Sequence, residues 1–169
     1  MRRLLTIVLI ALSLSGSRAA FAEGAPADAV ANIYREAVRL EKANLVSYRD
    51  AQLQRRYFTA SFRAVAKTID AREDAANFPI LDYDPIWPTA VPLTGLVIKT
   101  EREDATRARV VARFGVGKER TSVIYDMAKE AGEWRVDDIT AVYDPDVNKN
   151  PSSVRRMLAE YLAAGAKKQ

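Results

Sequence analysis

The apolar residues of this chain change period once, near Leu93, and that change limits the folds open to it. Before it, they recur every three to four residues. Val30, Ile33, Tyr34, Ala37 and Leu40 share one face behind Pro26, a residue tolerated in the first turn of a helix. Phe58, Phe62, Val65, Ala66 and Ile69 repeat the pattern, with Thr59 or Ser61 placed to cap. Beyond Leu93 the apolar residues alternate. Leu96 and Ile98 interleave with Val97 and Lys99. Ala108, Val110, Ala112 and Phe114 interleave with Arg107, Arg109, Val111 and Arg113. Val123, Tyr125 and Met127 interleave with Ser122, Ile124 and Asp126. Alternation of this kind predicts strands with one buried face.

Turn chemistry agrees. Glu103-Asp104, Gly115-Val116-Gly117 and Ala131-Gly132 stand where tight antiparallel turns are needed. Pro79, Pro85, Pro88 and Pro92 bar regular structure between the two halves, so residues 77–92 are expected to form an ordered crossing loop. The last strand, about Glu133 to Tyr143, carries a phase slip: Trp134 and Val136 share a face, but Ile139 falls on the other. A one-residue shift reverses every side chain, so a bulge is expected near Asp137-Asp138. A closing helix follows, with Val154, Met157, Leu158, Tyr161 and Leu162 on one face, Gly165 as a stop signal and Lys167-Lys168 suiting its end. N-terminal helices packed on an antiparallel sheet of about four strands, with a closing helix, make an α+β domain.

The first 22 residues carry an address. Arg2 and Arg3 precede an apolar run from Leu4 to Leu14, and Ala20-Phe21-Ala22 supplies the small-x-small pattern of a cleavage site. Residues 1–22 are expected to be a cleaved signal peptide and residues 23–169 a single domain. The expected destination is the periplasm, with secretion as the alternative. The apolar run is short for a span, which needs about 20 residues, so no membrane span is expected after cleavage.

Composition excludes several functions. The chain has 26 Lys and Arg against 22 Asp and Glu, but three of the bases (Arg2, Arg3 and Arg18) and none of the acids lie in the leader. The exported part is nearly neutral and lacks the clustered basic field that nucleic acid requires. There is no Cys and no His. That removes Ser-His-Asp and Cys-His nucleophiles, imidazole acid–base catalysis and zinc sites built on these residues.

The order of elements and three short motifs resemble a family. Trp134-Arg135-Val136-Asp137-Asp138-Ile139 is similar to the W-x-[IV]-D-D-I strand of the exported bacterial proteins grouped as domain of unknown function 3828. Ser153-Val154-Arg155-Arg156-Met157-Leu158 resembles their closing S-L-R-x-x-L helix, with Val154 in place of Leu. Asp82-Tyr83-Asp84-Pro85 resembles their acidic D-x-D loop. The resemblance covers most of residues 26–163. It implies the nuclear transport factor 2-like (cystatin-like) superfamily, whose curved sheet wraps helices into a cone with a pocket. It implies no activity, because that superfamily hosts enzymes and pure binding modules alike.

Several residues are candidates for function, each with a structural reading beside it. Asp82 and Asp84 could form a paired-carboxylate acid–base site, or Asp84-Pro85 starts a turn and Asp82 satisfies loop amides. Asp138 lies beside the expected bulge, where it could act as a base or pair with Arg155 or Arg156 of the closing helix. Tyr34, Tyr125 and Trp87 could line a pocket or fill a core. Arg107, Arg109 and Arg113 form a row that could meet an acidic partner or lipid headgroups, or pair with Glu101 and Asp126 across the sheet. Asp144, Asp146 and Asn148 begin a calcium-loop pattern, but Lys149 and Arg155 stand where its glycine and bidentate glutamate belong. Gly115-Val116-Gly117-Lys118 is a turn, since a phosphate loop needs wider glycines.

No cofactor and no resident metal are expected, and no catalytic residue is assigned. The expected function is a binding or interaction module, its partner an unknown protein or small ligand. The alternatives are an isomerase- or dehydratase-like enzyme using Tyr and Asp in the cone, and a toxin-neutralising or envelope-assembly accessory protein.

Overall fold

The computed structural model describes residues 24–88, 93–116, 120–142 and 151–166. The leader and the calcium-like stretch Asp144, Asp146 and Asn148 lie outside the described residues.

Helix α1 runs from Pro26 to Glu41. Pro26 is its first residue, and the Asp28 carboxylate accepts the Ala25 amide at 3.2 Å, adding negative charge at the positive helix end. A 3₁₀ turn, Ser47–Arg49, leads into α2, Ala51–Tyr57. Sequence periodicity did not expect this pair, because one or two turns show no repeat. Their signal is local: Asp50 caps α2 by accepting the Gln52 and Leu53 amides at 3.1 and 2.7 Å. Helix α3 spans Ala60–Ala76. Of its two candidate caps the structure uses Thr59, whose Oγ1 accepts the Phe62 amide at 3.0 Å. The helix ends at Asn77, in the left-handed region at φ 48°.

The strands β1 (Val97–Glu103), β2 (Arg107–Phe114), β3 (Thr121–Glu130) and β4 (Glu133–Val142) form one antiparallel sheet in sequential order. The fold is thus α+β with a four-stranded meander. Asp104 closes the β1–β2 turn by accepting the Thr106 and Arg107 amides. Ala131 and Gly132, at φ 55° and 85°, make the β3–β4 turn, where two positive φ values match the twist of the strands. In β4 the offset falls at Asp137: Asp126 faces Asp138, and the next pair is Met127 with Val136. Trp134, Val136, Ile139 and Ala141 are all buried as a result. A second offset, between Thr100 and Arg102 in β1, had no sequence signal, because both faces there are polar.

The inward faces of β2, β3 and β4 and the apolar stripes of the helices share one core. Its largest fully buried members include Tyr34, Tyr48, Tyr125, Phe58, Phe62 and Phe114. Helix α4, Val154–Ala166, buries Val154 and Leu158. Leu162, expected on that face, is exposed, and Gly165, expected as a stop, lies inside the last turn. Among the described residues no helix is long and apolar enough to cross a membrane.

Candidate functional site

Three carboxylates clamp the irregular parts of the fold. Asp84 accepts the Ser47 and Tyr48 amides at 2.6 and 3.3 Å with one oxygen and the Ile86 amide at 2.9 Å with the other. It thereby ties the crossing loop to the 3₁₀ turn. Asp82, its sequence partner in the candidate acid–base pair, is exposed. Glu73, buried on α3, accepts the Ile80 and Leu81 amides, each at 2.7 Å, and pairs with Arg49. Asp137 is the third. Its carboxylate accepts the Thr59 hydroxyl at 2.8 Å, Arg155 at 2.9 Å and Arg107 at 3.0 Å.

The Asp137 contacts correct one expectation. The ion pair with the closing helix belongs to Asp137, and Asp138 holds backbone instead. One Asp138 oxygen accepts the Ile139 amide at 2.9 Å and the Arg155 amide at 3.2 Å, at the start of α4. The bulge explains the exchange: the extra residue Asp137 leaves the ladder and turns its side chain toward Thr59 and Arg155. Burial raises the Asp138 carboxyl above the usual carboxylate range, against hydrogen bonds from Ser153, Arg155 and Ile139. Burial also pushes Asp137 upward, but Thr59, Arg107 and Arg155 together hold it below that range.

The arginine row is paired. Arg109 makes two bonds to Asp126, at 2.8 and 3.1 Å, Arg113 reaches Glu101 at 3.0 Å, and Arg107 reaches Asp137. The cross-sheet pairing expected for Arg109 and Arg113 is therefore present, and the row is not a free cationic field.

The aromatic candidates separate. Tyr34 packs edge-on against Tyr125, with centroids 6.2 Å apart, and against Phe114 at 5.9 Å. The Tyr34 and Tyr125 hydroxyls are buried and lie close enough to influence each other, but neither closes a hydrogen bond of good geometry. Burial raises both phenols, with the Asp84 charge adding to the effect. Such phenols stay protonated, and their oxygens are sealed from solvent. A general acid must come within about 2.6–3.2 Å of the group it serves. Trp87 is half-buried and packs on the core rim.

Tyr34 lines a cavity. A groove of about 460 Å³ runs between α1 and β1. Ala31, Tyr34, Arg35 and Val38 form its helical wall, because spacings of three, four and seven place them on one stripe. Leu96 and Ile98, with Leu93 just before them, form the opposite wall. Apart from the rim residue Arg35, whose guanidinium bonds Asn32, these walls are apolar side chains and an aromatic ring. Tyr34 is legible in the sequence as a pocket candidate; Ala31, Arg35 and Val38 are not. Their stripe borders the buried face of α1, and only the placement of β1 turns that border into a wall.

No family model, curated protein or solved structure matches this chain.

Proposed function

We propose that this chain is a binding module, and that the groove between α1 and β1 receives an apolar portion of its ligand or partner. The observation that carries the reading is a contrast. The carboxylates Asp84, Asp137 and Asp138 are spent on backbone amides and ion pairs, while the α1–β1 groove offers apolar walls to solvent. Pockets that take small ligands are mostly apolar with few polar groups, and here Arg35 is the charged residue at the rim. The periplasmic location and the cone-shaped nuclear transport factor 2-like frame belong to this proposal; helices preceding a four-stranded meander support the frame.

The test is binding of a neutral apolar dye, N-phenyl-1-naphthylamine, to the purified chain and to Ala31→Trp, which fills the groove. Loss of binding in Ala31→Trp with an unchanged melting temperature supports the reading. Equal binding by both proteins sinks it. A second reading is acid–base chemistry by Tyr34 and Tyr125, whose adjoining buried hydroxyls would have to open to solvent to meet a substrate. It requires turnover of a substrate that Tyr34→Phe or Tyr125→Phe abolishes.

A further inference from the structure

The two edges of the sheet are treated differently. At the β4 edge, the Thr59 amide donates to the Val136 carbonyl at 2.9 Å, and Thr140 bridges to Ser153. Strand β1 pairs only with β2 among the described residues. Its outward amides and carbonyls, alternating along the strand, are a template for another strand.

The two faces flanking that edge differ in chemistry. On the inner face, Leu96 and Ile98 open onto the apolar α1–β1 groove. On the outer face, Val97 and Lys99 open onto a second groove, of about 420 Å³, shared with Arg113, Val116 and Arg120. Lys99 and Arg120 form no ion pair with any described residue, whereas Arg113 is held by Glu101. Val97 and Val116 are 47% and 66% exposed, so this groove holds apolar surface in water beside Lys99 and Arg120.

We propose that the β1 edge accepts an extended segment of another polypeptide whose side chains alternate apolar and acidic. This rests on the binding-module reading and names the partner class. An added strand has side-chain period two, so its residues would enter the two grooves by turns. Apolar residues fall on the α1–β1 side. Acidic residues fall on the side of Lys99 and Arg120. Regular β1 pairing runs from Val97 to Thr100 before the offset, which sets the docking length. The charges of Glu101, Arg102 and Glu103 beyond it blunt the rest of the edge.

The experiment uses a short capped peptide alternating valine with aspartate, labelled for fluorescence anisotropy. Controls are a peptide of the same composition in blocks and one alternating valine with lysine. The expected result is binding of the first alone. Lys99→Glu with Arg120→Glu, both at exposed positions, weakens it roughly tenfold or more, while naphthylamine binding is unchanged. Amide exchange then slows in β1. Equal binding of the block peptide, or protection outside β1, overturns the proposal. So does a dimer in sedimentation that Lys99→Glu dissolves, since the edge is then filled by a second copy. If the dye binds and no peptide does, this inference falls and the binding reading stands. If neither binds, both fall.

Discussion

Replacing Asp137 with Ala tests the joint between the bulge, α3 and α4. The carboxylate holds the Thr59 hydroxyl, Arg155 and Arg107, and its side chain is 23% exposed. A hydrogen bond involving a charged group is worth about 1.5–3 kcal/mol. The Arg107 contact counts for less, about 0–1 kcal/mol, because that arginine is largely exposed. Arg155 is not stranded by the change: it keeps the Asp137 carbonyl at 2.7 Å and the Ser61 hydroxyl at 3.0 Å. The net loss is therefore about 2 kcal/mol, below the cost of orphaning a fully buried charge. Urea unfolding followed by circular dichroism should show a midpoint lower by about 1 M, for a slope near 2 kcal/mol/M. The pH dependence adds a second arm. The folded carboxyl lies below its unfolded value, so its contribution is present above about pH 3.9 and is lost as pH falls through the folded value. Wild type and variant should converge in acid. A loss under about 0.5 kcal/mol at neutral pH, the size of an ordinary surface change, would refute the argument.

Asp84→Ala leaves the Ser47, Tyr48 and Ile86 amides without their acceptor and should cost about 2–3 kcal/mol by urea unfolding, with Asp84→Asn recovering part of it. Tyr125→Phe removes a buried hydroxyl that lies beside the Tyr34 hydroxyl without a hydrogen bond of good geometry; stability should hold or rise by no more than about 1 kcal/mol, and a clear fall in melting temperature would mean the two hydroxyls are bonded. Asp138→Asn keeps an acceptor for the Arg155 and Ile139 amides but cannot ionise. Because the folded Asp138 carboxyl is raised, its stabilising term is full below about pH 3.9 and is lost as pH rises through the folded value. The Asn variant should gain on wild type between pH 4 and neutrality, and parallel stability curves would contradict this.

The sequence by itself determined the class of fold and the place of its irregularity. The switch from helical to alternating period requires helices first and strands after, because each period exposes one apolar face that must be covered. The phase slip between Val136 and Ile139 required an extra residue in β4, since a regular strand would send one of the two into water. Thr59 was legible as a cap because its chemistry is local. Tertiary structure decided the rest. Which aspartate of Asp137-Asp138 meets Arg155 depends on how the bulge turns its side chain, and adjacent identical residues carry no mark of that. Asp82 and Asp84 read alike in sequence, and only the approach of the Ser47–Arg49 turn makes Asp84 a clamp. The α1–β1 groove joins Ala31 and Val38 to Leu96 and Ile98, more than fifty residues apart. No local pattern encodes such a pairing, because it arises only when the chain brings a helix stripe and the β1 strand side by side.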